Sequence, residues 1–119
     1  MSKTPALTDS EISSRLGVLP DWRVADGALT RDFKTDGWPT TLMLVNAIGY
    51  LAQAADHHPD LTVSWGSVRI ALSTHTAKGI TDKDFALAHE VEKLALWRPG
   101  SGSPLTGTRS GWVQGTSGS

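Results

Sequence analysis

At 119 residues the chain has the length of a single domain with one modest hydrophobic core. Its 11 Lys and Arg against 12 Asp and Glu give a formal net charge of -1, so no overall field draws it to a phosphate backbone or an anionic lipid, and neither nucleic acid nor membrane is expected as a partner. There is no cysteine, which excludes disulfides, thiolate catalysis and Cys-ligated zinc or iron-sulfur sites.

The opening MSKTPALTDSEISS lacks the basic-then-apolar layout of a signal peptide and no apolar run reaches membrane-spanning length, so a cytoplasmic protein is expected. Thr8 three residues before Glu11 has the spacing of a capping box, and Ile12 and Leu16 share a face. A short helix follows, with Gly17 suited to a left-handed end. Asp26-Gly27 suits a tight hairpin turn between strands at Trp22 to Ala25 and Ala28 to Phe33. A second helix runs from Pro39 to about Asp56, its stripe of Leu44, Ile48 and Leu51 facing a sheet. Gly49 inside it predicts a close approach by a strand or a neighbouring subunit, and His58 before Pro59 predicts the helix end. Next comes a second hairpin: Leu61, Val63 and Trp65 alternate, Gly66-Ser67 turns, and Val68, Ile70 and Leu72 alternate again, each set facing the helices. A third helix starts at Thr81 with Asp84 as capping partner and buries Phe85, Leu87, Ala88, Val91 and Leu94. The order α-β-β-α-β-β-α predicts an α+β domain over residues 1–96, a four-stranded antiparallel sheet with three helices on one face. From residue 97 to 119 Gly, Ser, Thr and Pro dominate, which predicts a flexible tail carrying Trp97, Arg98, Arg109 and Trp112 as stray aromatics or as a docking segment.

Three of the four histidines, His57, His58 and His75, fall at one helix-to-strand junction and just past the fourth strand. Pairing of the third strand with the fourth brings these loops to one edge. Imidazole is the side chain suited to moving protons near neutral pH, so this pattern points to cofactor-free acid/base chemistry, with Asp56 and Asp84 as candidates to orient a ring. A solvated helix end, a strand cap at His75 and a metal site are the alternatives; adjacent histidines diverge in direction and no zinc-type His spacing occurs, which disfavours the metal. His89 stands outside the cluster. No phosphate loop, nucleophile elbow or glycosidase carboxylate pair is present.

The combination DHHP, Trp65 before a turn, LSTH, then Gly79-Ile80-Thr81 and Asp84 resembles the signature of the pterin-4a-carbinolamine dehydratases over roughly Leu7 to Leu96. The resemblance implies a dimer or tetramer that dehydrates 4a-hydroxytetrahydropterin to quinonoid dihydropterin with neither metal nor cofactor. It implies that His57 and His75 are acid/base groups, that His58 holds the pterin, that Asp56, Pro59, Ser73 and Thr74 line the pocket, and that Asp84 steadies the histidines. Where that pattern prefers an acid, commonly glutamate, this chain has Gln53, whose amide can hydrogen-bond but cannot exchange a proton. Dehydratase-like proteins also serve as protein-binding factors, among them a RuBisCO assembly factor of α-carboxysomes. Gln53 and a Trp- and Arg-bearing tail fit that role too.

Overall fold

The structure is a computed structural model that describes residues 4–107 and 112–114. Thr8 caps the first helix, α1 (Asp9–Leu16), by the expected reciprocal pair: Glu11 N donates to Thr8 Oγ1 at 3.1 Å and Thr8 N to Glu11 Oε1 at 2.8 Å. Such a cap contributes about 1 kcal/mol. Gly17 leaves the helix at φ -58°, not left-handed as predicted, because the chain keeps turning through Val18 N to Arg15 O and Leu19 N to Leu16 O.

Asp26 and Gly27, both at positive φ, make the two-residue turn between β1 (Arg23–Ala25) and β2 (Ala28–Thr35). Trp22 precedes β1 instead of opening it, for its ring enters the core and its Nε1 donates to Glu92 at 2.8 Å. β2 outruns its predicted end at Phe33 by two residues because it is the spine of the sheet. It pairs with β1, with β4 (Ser67–Leu72) from Leu29 to Lys34, and at Lys34 and Thr35 with β5 (Val113–Gln114).

The helix α2 (Trp38–Ala55) buries Leu44, Ile48 and Ala52, with Leu51 half-buried beside them. Gly49 faces open space, so no strand among the described residues explains it. In the second hairpin Ser64 pairs with Ser67, which puts the turn at Trp65-Gly66 and not at Gly66-Ser67. Strand order β1-β2-β4-β3 leaves β3 (Asp60–Ser64) at an edge. Val63 and Trp65 are therefore exposed, Trp65 by 69%, and do not face the helices as the alternation predicted. In α3 (Asp82–Ala95) Phe85, Leu87, Ala88 and Val91 are buried as predicted. Leu94 is exposed and Ala95 takes its place, since 95 continues the 87 and 91 row at four-residue spacing.

One core joins the layers: Leu29 and Phe33 of β2 and Val68, Ile70 and Leu72 of β4 pack with Leu44 and Ile48 of α2 and with Phe85, Ala88 and Val91 of α3. Beyond Leu96 the composition gave no sign of a strand, yet Val113 is buried on the domain. Two hydrogen bonds to carbonyls of this segment hold it there: Asp36 N donates to Trp112 O at 3.0 Å, and the Arg98 side chain donates through Nη2 to Val113 O at 3.1 Å.

Candidate active site

The site forms where two loops leave paired strands. Asp60 lies opposite Ala71, so continuing the antiparallel register past the strand ends brings His58 level with Ser73 and His57 level with Thr74. Each loop is shaped locally. Asp56 turns left-handed after α2 (φ 53°), its N–H donating to Gln53 O and the His57 N–H to Ala52 O, a closure that frees the chain from the helix before Pro59 requires it. Past β4, Thr74 and Gly79 exchange backbone bonds and pinch off a 3₁₀ turn, His75–Ala77, which Lys78 closes at φ 56°.

Asp84 is wholly buried at the start of α3 and receives three donors: His57 Nε2 at 2.6 Å on Oδ1, and Thr74 Oγ1 and Thr81 N, each at 2.9 Å, on Oδ2. Thr74 Oγ1 spends its proton on Asp84, so at 2.7 Å it accepts from Thr81 Oγ1, which in turn accepts from Lys83 N. The proton order of this chain makes Asp84 Oδ2 an acceptor only, and with Asp84 as a carboxylate Oδ1 accepts as well. His57 Nε2 must carry a proton, and Nδ1 is the ring atom left for chemistry.

The other two imidazoles are held differently. His58 Nε2 lies 2.9 Å from Gln53 Oε1, and because an amide oxygen only accepts, that nitrogen is protonated as well. His75 is exposed and makes no side-chain hydrogen bond among the described residues. All three rings line one cavity of about 430 Å³, together with Asp56, Pro59, Ser73 and Thr74. Asp84 does not line it; the aspartate stands behind His57. Sequence reasoning missed Asp60, Thr76 and Lys83, which complete the wall. Lys83 was legible in principle, since the second residue after a helix cap at Thr81 lies beside Asp84. Arg109 lies outside the described residues. Among the described residues no three His, Asp or Glu side chains are grouped to hold a metal ion, and no helix is long and apolar enough to cross a membrane.

Fold and site together define a class: a small α+β domain that gathers three imidazoles at one end of an antiparallel sheet, one of them tied to a buried carboxylate. The family model for pterin 4 alpha carbinolamine dehydratase matches residues 5–94, and the chain belongs to that family. A Chloroflexus aurantiacus protein named "Putative pterin-4-alpha-carbinolamine dehydratase" is 39% identical over 90 residues, which is 76% of this chain and 97% of that one. Its Aquifex aeolicus namesake is 41% identical over 88 residues, covering 74% and 89%. Among solved structures, a transcriptional coactivator/pterin dehydratase from Brucella melitensis superposes with a TM-score of 0.71 at 30% identity, over 76% of this chain and 98% of that one. A pterin dehydratase-like RuBisCO assembly factor of the alpha-carboxysome shares the fold, with a TM-score of 0.54 at 23% identity over 63% of this chain and 89% of that one.

Proposed function

We propose that this protein is a cytoplasmic dehydratase, acting as a homodimer or homotetramer, that converts 4a-hydroxytetrahydropterin to quinonoid dihydropterin. The observation that carries the reading is the His57–Asp84 pair at the wall of a cavity shared with His58 and His75. In the reaction the ring N5–H bond is broken, its electron pair forms the C4a=N5 bond, and the C4a–O bond breaks as the hydroxyl takes a proton and leaves as water. Atoms and electrons balance without a cofactor. His57 Nδ1 takes the N5 proton, and Asp84 stabilises the imidazolium that forms. His75, whose ring makes no hydrogen bond among the described residues, gives the proton to the departing hydroxyl. His58, Asp56, Pro59, Ser73 and Thr74 hold the heterocycle, and Lys83 adds a cation to the wall. One imidazole must be neutral and the other protonated, so kcat/KM falls on both sides of an optimum.

The test is turnover of the 4a-alcohol by the wild type, His57→Ala, His75→Ala and Asp84→Asn. Each histidine substitution should lower kcat on the order of 10²- to 10⁴-fold. A wild type no faster than the uncatalysed reaction overturns the reading. A second reading, a protein-binding factor that assembles RuBisCO in an α-carboxysome, is supported by the neutral Gln53 on His58 and by a C-terminal segment that presents an exposed Trp97 beside Arg98 and Trp112. Under it, wild type and His57→Ala are equally inactive, and deletion from Trp97 onward impairs partner assembly.

A further inference from the structure

Two threonines bracket the loop that carries His75. Thr74 precedes it, buried, and Thr81 ends it, wholly buried at the cap of α3. Seven residues apart in sequence, their hydroxyls meet at 2.7 Å. Thr74 in turn bears on both acid/base groups of the proposed reaction. Through its side chain it donates to Asp84 Oδ2 at 2.9 Å, and Asp84 holds His57 Nε2 at 2.6 Å through its other oxygen. Through its backbone it closes the turn of His75: Thr74 N donates to Gly79 O at 2.8 Å, and Ala77 N to Thr74 O at 3.1 Å. The His75 ring makes no hydrogen bond among the described residues, so that backbone is what places it. Thr81 does not itself line the histidine cavity.

We infer that Thr81 is a positioning residue, whose hydroxyl locks Thr74 and so fixes the spacing between the base at His57 and the acid at His75. The inference rests on the dehydratase reading and adds a residue to it. Thr81 Oγ1 accepts from Lys83 N at 3.1 Å and gives its own proton to Thr74 Oγ1, which leaves the Thr74 proton for Asp84. A buried hydroxyl left without its partner is costly, so each bond in this series holds the next side chain in one rotamer. Without the Thr81 hydroxyl, Thr74 Oγ1 keeps one bond in place of two. Its side chain can then turn from Asp84, and the carboxylate loses a restraint that aims Oδ1 at His57. Proton removal from N5 and proton delivery to the 4a-hydroxyl need both imidazoles set on one heterocycle, so a shift of one against the other lowers the rate more than the affinity.

The experiment reads kcat and KM for the 4a-alcohol, and the His57 Nε2–H signal by proton NMR, in wild type, Thr81→Val, Thr81→Ser, Thr74→Val and the double valine variant. The signal is identified by its absence in His57→Ala. Thr81→Val removes the hydroxyl together with the acceptor of the α3 cap, whereas Thr74→Val breaks the same contact and leaves that cap intact. Each valine should lower kcat on the order of tenfold with KM within about threefold of wild type, and Thr81→Ser should keep the wild-type rate. The double variant should be no slower than Thr74→Val alone, because the two hydroxyls act as one unit. The Nε2–H signal should persist in wild type and Thr81→Ser and be lost to exchange in both single valine variants. Wild-type kcat in Thr81→Val, a serine variant as slow as the valine, or effects that multiply in the double variant overturn the inference. Should Thr81→Val fail to fold, Thr81→Cys, whose thiol is a weak donor at the same place, is read by the same criteria. If the wild type does not turn over the alcohol but the signal follows this pattern, the dehydratase reading falls and the tie from Thr81 to His57 stands. If the alcohol is turned over and neither kcat nor the signal moves in Thr81→Val, only the tie falls.

Discussion

Three histidines in one cavity are not three copies of one group. His57 is tied to a buried carboxylate, His58 to a neutral amide and His75 to no side chain among the described residues, so each enters a reaction with a different proton inventory. The amide is the informative member. Gln53 accepts from His58, the ring assigned to holding the pterin, and not from His57, so its lack of charge bears on ligand binding more directly than on proton transfer. Gln53→Glu puts a carboxylate 2.9 Å from His58 Nε2 if the rotamer is kept, and a carboxylate favours the protonated form of an imidazole beside it. The variant should shift the alkaline limb of the kcat/KM profile upward in pH and change KM more than kcat. An unchanged profile in steady-state kinetics across the pH range would make position 53 a bystander.

Between elements, two charge networks tie β2 to its neighbours, and they differ in burial. On the core side Arg31 is wholly buried; its Nε donates to Glu92 of α3 at 2.6 Å and its guanidinium lies 4.3 Å from the Phe33 ring centre. Glu92 also accepts from Trp22, so this one carboxylate joins β2, α3 and the segment before β1. Glu92→Ala should destabilise the domain by about 3–5 kcal/mol in denaturant unfolding, because it leaves a buried guanidinium short of its partner. Adding Arg31→Met should recover much of that loss; a cost under about 1 kcal/mol would show that Asp21, 3.7 Å away, takes over the pairing. On the other side Asp32 lies opposite Arg69 of β4 and accepts from it at 2.7 Å, with Arg23 of β1 at 3.1 Å. The hydrogen bond from Arg69, reinforced by the charge of Arg23, holds the Asp32 carboxyl below its ordinary 3.8 against partial burial, which acts the other way. Folding therefore gains from this group in full above 3.8, and the gain is lost as pH falls through the lower folded value. Asp32→Asn should be less stable than wild type near neutrality and indistinguishable from it at roughly pH 2, as chemical denaturation at the two pH values would read.

For the whole molecule, the strand order has an unfinished side. β3 has β4 on one flank and, among the described residues, no strand on the other, while Val63 on it and Trp65 just past its end are exposed and the Trp65 ring lies against Gly37 at the start of α2. Open strand edges with apolar side chains invite a second copy. Light scattering of the full chain at micromolar concentration should give a dimer or larger assembly, and Val63→Lys should shift it toward monomer. A wild-type monomer would count against the proposed assembly and against a neighbouring subunit as the reason for Gly49.

Periodicity and capping chemistry in the sequence determined the element order, both helix caps, the Asp26-Gly27 turn and most of the core, because these depend on residues within one or two turns of each other along the chain. The grouping of the histidines was legible only conditionally, since it required β3 to pair with β4. Strand order belongs to the tertiary structure: it made β3 an edge, exposed Val63 and Trp65, and lengthened β2 through partners from three parts of the chain. So does the strand at Val113, for two residues carry no period and are placed by the open flank of β2. Asp84 shows both contributions. Its spacing from Thr81 predicted a cap, which any sequence window can reveal, whereas its bond to His57 joins residues 27 apart and exists only once α3 has packed beside the end of α2.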